Sequence, residues 1–289
     1  MAADLKNCLY NRIPTKLTEK QFEEFFLPHL SKPKKGPPPK ISLFKTFNYI
    51  LHFIYTGVQW KVLPIDKDEN NRSEIHYTRI FCKYHQWNED GSLVTAFKNS
   101  VLHLKNNDLL EPSILHGDGT CTVAKKGGDN IGRNGHRHHK GDKIVAITDR
   151  KGNVVSPFVT APGNRNETVL LKDTLLHLKR VAKFIDLDLR GTVMSLDSGY
   201  DSVANRKLIF NRGMIPNIKE IERYRLSAKR GRKRIYNSDI FEERFETVER
   251  TFAWEDKFKR LLIRFERKSI NHFGLKLIAY TLINLRHFC

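Results

Sequence analysis

Apolar residues recur at helical spacing through the N-terminal part of the chain. A capping box of Thr18 and Gln21 precedes the run from Glu19 to Leu30, whose phenylalanines share one face, so this run predicts a first amphipathic helix. Ser42 can cap a second helix, which Gly57 ends. Two more helices are predicted, from Ser73 to Trp87 and from Gly91 to about Leu104. Residues 1–110 are therefore predicted to form an all-helical domain.

This helical domain is either a DNA-binding module, with helix-turn-helix as one candidate type, or a helical cap that packs on a second domain without touching DNA. A basic, proline-rich stretch over residues 31–41 interrupts it and cannot be helical. Lys34 and Lys35 lie in this stretch. It is interpreted either as an extended arm along DNA phosphates or as a solvated linker.

From Ser113 the pattern changes to alternation and short apolar runs, which are typical of strands. Asp149 to Asn153 is a glycine-containing turn, so the strands on either side of it are predicted to pair antiparallel. A helix over Glu167 to Phe184 then leads into a strand over Thr192 to Leu196. Antiparallel strands, a helix and a further strand form a mixed sheet with flanking helices, as in a ribonuclease-H-like core. The predicted fold class is α+β or mixed α/β, with this core over residues 111–289.

Two aspartates follow apolar strands directly. Asp118 stands between Gly117 and Gly119, which would let another backbone or a phosphate approach, and Asp197 ends the Thr192 to Leu196 strand. Each of them alone could be a turn residue. Two such acids at equivalent strand ends favour a shared site, because the carboxyl edge of an α/β sheet is where ligands bind. Asp201 is interpreted as the N-cap of the next helix.

A third acid is expected from the helical stretch Phe241 to Phe265. Glu249 lies roughly 70° from the centre of the predicted apolar stripe, at the edge of the buried face, whereas Glu246 lies roughly 130° away and should face water. Glu249 is therefore the candidate. The other acidic residues of this stretch are interpreted as solvent-facing charges: Glu242, Glu243, Glu255 and Asp256.

Three carboxylates form a hard, oxygen-rich site that suits Mg²⁺ or Mn²⁺ rather than zinc. The four cysteines are widely spaced and form no Cys-x-x-Cys pair, which argues against a zinc site and a disulfide framework. Two ions bridged by one carboxylate, with Asp118 as the candidate, could activate a water or a 3′-hydroxyl and stabilise the leaving oxygen. This is the chemistry of phosphoryl transfer.

The charge balance indicates a polyanionic partner. Lys and Arg number 51 against 32 Asp and Glu, a formal charge of +19, whereas the 39% hydrophobic content is ordinary for a folded protein. Nucleic acid is favoured over a merely soluble basic protein or a membrane-surface binder. No apolar stretch is long enough to span a bilayer and the N-terminus lacks the apolar core of a signal peptide, so a cytoplasmic protein without a membrane partner is expected.

The basic residues concentrate around the candidate acids. One group lies in the glycine-rich loop after Asp118, and another in the segment from Arg223 to Arg234, which has no acidic residue. Both are interpreted as contacts to DNA phosphates. With the two lysines of the proline-rich arm, the DNA-binding residues predicted from these clusters are Lys34, Lys35, Lys125, Lys126, Arg133, His136, Arg137, Lys140, Arg230, Arg232, Lys233 and Arg234.

Four motifs, in order, resemble a DDE transposase of the bacterial insertion-sequence-five group, within the insertion-sequence-four-like superfamily. They are Thr56-Gly-Val-Gln-Trp-Lys-Val-Leu-Pro64, His116-Gly-Asp-Gly-Thr120, Leu196-Asp-Ser-Gly-Tyr-Asp201 and Val248-Glu-Arg-Thr-Phe-Ala-Trp254. The resemblance runs from about Leu17 to Arg267. It implies a ribonuclease-H-like catalytic domain in which Asp118, Asp197 and Glu249 are the catalytic metal ligands.

The resemblance also implies Mg²⁺ as cofactor, with Mn²⁺ as a substitute and two ions per site. The implied partners are double-stranded DNA, as the terminal inverted repeats of the element and as target, and further copies of the chain in a homodimer or higher assembly. A bacterial, nucleoid-associated location and strand transfer by transesterification follow as well. Many relatives have an arginine four residues before the glutamate and a lysine seven after it. Here those positions hold Phe245 and Asp256. Arg244 and Lys257 lie one position away, and the resemblance implies that they substitute as DNA-binding residues.

The function predicted from the sequence is metal-dependent DNA cleavage and strand transfer at terminal inverted repeats. One alternative is a catalytically inactive or repurposed DNA-binding protein with the same fold. Another is a ribonuclease-H-like nuclease or resolvase without strand transfer. The three acids favour the first function.

Overall fold

A computed structural model describes residues 12–32, 38–135, 138–221 and 234–289. Their contacts form two compact units. Unit one combines Met1–Ser100 with Thr122–Asp129 and Trp254–Cys289, and unit two combines Val101–Cys121 with Asn130–Ala253. The C-terminal segment thus belongs to the same unit as the N-terminal helices. The predicted domain boundary at residue 110 stays a prediction.

The four predicted N-terminal helices are confirmed, except that the third begins at Tyr77 and not at Ser73, which pairs with Lys67 in an isolated β-bridge. Their bounds are α1 Glu19–Phe25, α2 Leu43–Thr56, α3 Tyr77–Glu89 and α4 Ser92–Asn106. Thr18 and Gln21 form the capping box of α1, and Pro28 follows in a short 3-10 turn, so the helix is shorter than predicted. Ser42 caps α2, and Gly57 ends it in the left-handed conformation at φ 75°.

Two strand segments and one long helix complete unit one. The last residues of β1, which spans Ile114–Ala124, pair in parallel with the short strand β7, Ile263–Arg264. The helix α8, Ser269–Leu285, follows and is buried on nearly all of its surface, including polar residues such as His272 and Lys276. The described residues contain no helix with the length and apolarity needed to cross a membrane.

Unit two is built on a mixed sheet. Its other strands are β2 Gly132–Asn134, β3 His139–Asp149, β4 Val159–Pro162, β5 Val193–Leu196 and β6 Ile215–Ile218. The strand order is β2-β3-β1-β5-β6, with β4 antiparallel on β3 and with β1, β5 and β6 mutually parallel. The predicted antiparallel strands, helix and parallel strand are thereby confirmed, as is the mixed α/β class. The remaining helices are α5 Glu167–Phe184, α6 Val203–Phe210 and α7 Ser238–Glu255. The prediction that the helical stretch continues to Phe265 was wrong, because α7 ends at Glu255 and β7 follows within that range.

The two faces of this sheet pack against different helices. On one face Leu115, Met194 and Leu196 join the apolar core with α5 and α6. On the other face His116 and Ser195 contact α7. Since successive residues of a strand point to opposite faces, the residues two positions further on, Asp118 and Asp197, also belong to the face that α7 covers.

Candidate functional site

Asp118 and Asp197 are neighbours because of the register between β1 and β5. Each pair in this parallel register joins residues 79 positions apart (193 − 114), beginning with Ile114 opposite Val193. Asp118 and Asp197 have the same separation and therefore form the next level of the register. Because adjacent strands lie about 4.8 Å apart, two carboxylates leave the sheet side by side.

The guanidinium of Arg244 on α7 bridges the two carboxylates. Its Nη1 donates to Asp118 Oδ2 at 2.7 Å, and its Nη2 donates to Asp197 Oδ1 at 3.5 Å. The Arg244 side chain is only 1% exposed, and the rings of Phe241 and Phe245 lie 5.3 and 4.4 Å from its central carbon. A buried cation thus occupies the gap between two acids that would otherwise repel each other.

Backbone amides hold the other two carboxylate oxygens. Gly119 N donates to Asp118 Oδ1 at 2.8 Å, and Gly199 N donates to Asp197 Oδ2 at 3.3 Å. All four oxygens therefore accept one hydrogen bond each. Burial raises the pKa of Asp118, although Arg244 pulls it in the opposite direction.

The glycines that flank Asp118 make room for protein side chains. A Cβ at Gly117 would lie 2.5 Å from a methyl of Leu196, and a Cβ at Gly119 would lie 2.5 Å from the carboxyl carbon of Glu167. Glu167 is in turn held by Lys143 at 2.9 Å. The expectation that these glycines admit a phosphate is thus replaced by a packing role, and Glu167 is an acid near the site that the sequence did not indicate.

Tyr200 is a second residue that sequence reasoning missed. It is 1% exposed, and burial together with the negative charges of Glu167, Asp118 and Asp197 raises the pKa of its hydroxyl well above the ordinary value. Within the described ranges this hydroxyl has no hydrogen-bond partner. The hydroxyl therefore stays protonated at neutral pH, so it adds no negative charge among the acids.

A group of three polar residues attaches α7 to the sheet. His116 Nε2 lies 3.2 Å from Glu243 Oε1, and Arg150 binds the same carboxylate in a bidentate pair at 2.7 and 2.8 Å. Burial lowers the pKa of His116, so the ring is neutral at pH 7 and its Nε2–H donates to Glu243. The prediction that Glu243 faces solvent was wrong. Its contact fixes the turn of α7 that carries Arg244.

Glu249 lies on α7 but is exposed. The helix buries Phe241, Arg244, Val248 and Thr251, while Phe245 is 43% exposed. The predicted stripe consisted of Phe241, Phe245, Val248 and Phe252. Phe241 and Val248 are buried as predicted, but the buried face is rotated away from Phe245 and towards Arg244. Within the described residues, no group of three or more His, Cys, Asp or Glu side chains is arranged to hold a metal ion. The structure brings together two of the three predicted acids.

The predicted cap Asp201 has another role. The side chain of Ser202 caps α6, one residue further along. Asp201 instead pairs with Arg206 at 2.9 Å and with Arg234 at 3.0 Å. A short serine can satisfy the helix terminus here, which leaves the carboxylate to the two arginines.

The predicted DNA contacts fall into three groups. Those outside the described residues are Lys34, Lys35, His136, Arg137, Arg230, Arg232 and Lys233. Those that are exposed are Lys125, Lys126, Arg133, Lys140 and Lys257. The other two are engaged in ion pairs: Arg234 with Asp201 and Glu220, and Arg244 with Asp118 and Asp197.

Comparison with known families gives one match over more than half of the chain. The family described as "Transposase DDE domain" matches residues 109–282, a range that includes Asp118, Asp197 and Glu249. A candidate transposase for insertion sequence element IS402 from Burkholderia cepacia is 31% identical over 137 residues, which is 47% of this chain. The match spans 59% of that relative's length.

Two solved structures of Mos1 transposase are similar to parts of the chain. One is a paired-end complex with the left transposon end, at 13% identity and a TM-score of 0.27, covering 64% of this chain and 61% of that chain. The other is a pre-cleavage transpososome, at 11% identity and a TM-score of 0.28, covering 88% and 80%. Scores of this size support no conclusion about this chain.

Proposed function

The chain belongs to the DDE transposase family, and from this premise we propose that it cleaves DNA strands and transfers them at the terminal inverted repeats of an insertion sequence, with a divalent metal ion. The observation that carries the proposal is the pair of carboxylates in register on neighbouring parallel strands, Asp118 and Asp197. The narrower insertion-sequence-five group stays a prediction.

The donor set fits a hard divalent cation. Asp118 and Asp197 offer carboxylate oxygens to one point, and a positive group, the Arg244 guanidinium, already lies there. DDE transposases depend on divalent ions. We propose Mg²⁺, with Mn²⁺ as a substitute and two ions per site; when bound, they would activate the attacking oxygen and stabilise the leaving 3′-oxygen.

Glu249 remains the proposed third ligand, and an exposed neighbour provides a matched control. Glu246 is also exposed and lies on the same helix, three residues away. We expect Glu249→Gln to lower the cleavage rate by about 10²–10³-fold, the loss typical of removing one electrostatic element of transition-state stabilisation. Glu246→Gln should stay within about threefold, since it removes only a solvated charge. Equal rates for the two variants would remove Glu249 from the site.

We propose that exposed cations in unit one contact the phosphates of duplex DNA. The segment after β1 lies against the segment after β7, because Asp129 N donates to Arg267 O at 3.0 Å. The acids beside them bind internal arginines: Asp129 pairs with Arg264, and Glu266 pairs with Arg260. The exposed cations of these two segments are Lys125, Lys126, Arg267 and Lys268, and we call them the basic surface. In the part of the chain that the structure describes, these four side chains have no ion-pair partner.

A second pair of cations lies in unit two. Arg133 on β2 and Lys140 on β3 are direct cross-strand partners, so their side chains leave the same face of the sheet. Like charges directly opposite each other are unfavourable in water. A phosphate between them would remove this repulsion, which supports a DNA contact here too.

Removing the basic surface should reduce the salt dependence of DNA binding. We expect the log–log slope of affinity against salt to lose about 0.9 for each phosphate contact removed. The test variant is Lys125→Gln, Lys126→Gln, Arg267→Gln and Lys268→Gln combined. A control with the same composition comes from the exposed side of α5: Lys172, Lys179, Arg180 and Lys183, all to Gln. Fluorescence anisotropy that gives the two variants the same slope would reject this surface.

A cleavage assay tests the proposed activity. Purified protein is incubated with labelled DNA that ends in the terminal inverted repeat of the element, with Mg²⁺ or with a chelator. We expect strand cleavage and joining with Mg²⁺ only, while DNA binding persists in both conditions. Binding without cleavage under any divalent ion would instead favour an inactive DNA-binding protein, and cleavage without joining would favour a nuclease.

We further propose that the active form is a homodimer or higher assembly on DNA.

A further inference from the structure

Arg244 is placed where the proposed metal ion would bind. Its guanidinium is within hydrogen-bonding distance of Asp118 Oδ2 and Asp197 Oδ1, at 2.7 and 3.5 Å. The two remaining carboxylate oxygens accept hydrogen bonds from the backbone amides of Gly119, within β1, and Gly199, in the 3-10 turn after β5. The oxygens directed at the gap are therefore those that Arg244 engages.

The surroundings hold Arg244 in this position. The side chain is 1% exposed, two aromatic rings border its guanidinium, and the helix that carries it is attached to the sheet through Glu243. Removing a buried cation from its carboxylates is costly, because charge-assisted hydrogen bonds in a low-dielectric site are strong. A divalent ion a few ångströms from the guanidinium would also be repelled by it.

We propose that Arg244 is a positioning residue that competes with the divalent ion for Asp118 and Asp197. It holds the two carboxylates together while no metal is bound, and its two hydrogen bonds must be given up, wholly or in part, as the ion binds. The guanidinium therefore weakens metal binding in the protein without DNA. This inference rests on the proposed function, since it requires that the two aspartates bind the metal.

The test is Mn²⁺ binding to the full chain without DNA, measured by the electron paramagnetic resonance signal of the free ion. We expect Arg244→Gln to bind Mn²⁺ roughly tenfold more tightly or better, the effect of removing one competing charge-assisted hydrogen bond. Arg244→Lys, which keeps the charge, should bind nearly as the wild type does. The control is Arg206→Gln, which breaks another arginine–aspartate pair of the same unit, and it should leave the affinity unchanged.

The outcomes separate this inference from the proposed function. If Asp118→Asn does not weaken Mn²⁺ binding, the proposed metal site and the competition are both wrong. If Asp118→Asn weakens it but folded Arg244→Gln binds no more tightly than wild type, only the competition is wrong. Should Arg244→Gln fail to fold, the Arg244 side-chain NMR resonance of the wild type decides, with Arg244→Lys for its assignment. The Arg244 side-chain resonance should shift when the wild-type protein is saturated with Mg²⁺. An unchanged resonance would overturn the inference.

Discussion

Asp118→Asn and Asp197→Asn are each expected to lower strand cleavage by about 10²–10³-fold or more, the range for losing one element of transition-state stabilisation. Each substitution replaces a carboxylate that we propose as a metal ligand by a neutral amide of the same size. The two carboxylates lie at one level of the β1–β5 register, so neither can replace the other. The measurement is the initial rate of cleavage of labelled terminal-repeat DNA in Mg²⁺.

Folding and DNA binding serve as controls for these variants. Asparagine at position 118 or 197 leaves Arg244 with one charged partner, so the thermal midpoint must be measured beside the rate. DNA affinity should change little, because the proposed phosphate contacts lie elsewhere. A folded Asp197→Asn protein that cleaves at the wild-type rate would exclude Asp197 from the catalytic site.

The largest expected effect on stability concerns a buried ion pair in unit one. Lys276 on α8 is 1% exposed and binds the carboxylate of Glu255, which also accepts a hydrogen bond from the hydroxyl of Tyr280. Lys276→Met leaves a buried, unpaired carboxylate. We expect it to lower the free energy of unfolding by about 3–5 kcal/mol, the range for breaking one side of a buried pair. Urea unfolding followed by circular dichroism measures the loss.

Two further variants test the cause of this loss. Lys20→Met makes the same substitution at an exposed position of α1 and should change stability by no more than about 0.5 kcal/mol. The double variant Glu255→Gln and Lys276→Met should lose clearly less than the sum of the two single losses, because residues in contact are not additive. Strict additivity would show that the pair does not act as a unit.

The parts of the fold that could be predicted from the sequence are those with local signals. Thr18, Ser42 and Gly57 marked helix ends that the structure confirms, and the turn at Asp149 to Asn153 predicted an antiparallel pairing that β3 and β4 make. The bounds of α5 were also predicted from its apolar spacing. Capping, turns and helical periodicity depend on neighbouring residues only, so the sequence contains them.

The parts that could not be predicted depend on which polar residues are buried. Arg244, Glu243 and Glu255 were assigned to phosphate contact or to solvent, yet each is paired inside the fold. A charged side chain is buried only when tertiary structure supplies its partner. Its partner can lie more than a hundred residues away, as Asp118 does from Arg244, and no local pattern records such a pair.

The position of Asp118 beside Asp197 could be predicted only in part from the sequence. The sequence placed each acid directly after an apolar strand. In the structure Asp197 follows β5, whereas Asp118 lies inside β1, and the register between the two strands places both at one level. The role of Glu249 had no such support, because helix rotation was judged from Phe245, which is half-exposed. Its place in the site stays a prediction.

The position of a bound ion tests the central claim most directly. Crystals of the protein equilibrated with millimolar Mn²⁺ would be measured at the manganese absorption edge, and the anomalous difference map would locate the ion. We predict a peak within coordination distance of the Asp118 and Asp197 carboxylates, with the Arg244 guanidinium displaced from at least one of them. The account would be contradicted if the map showed fully occupied manganese sites elsewhere and no peak between these two aspartates.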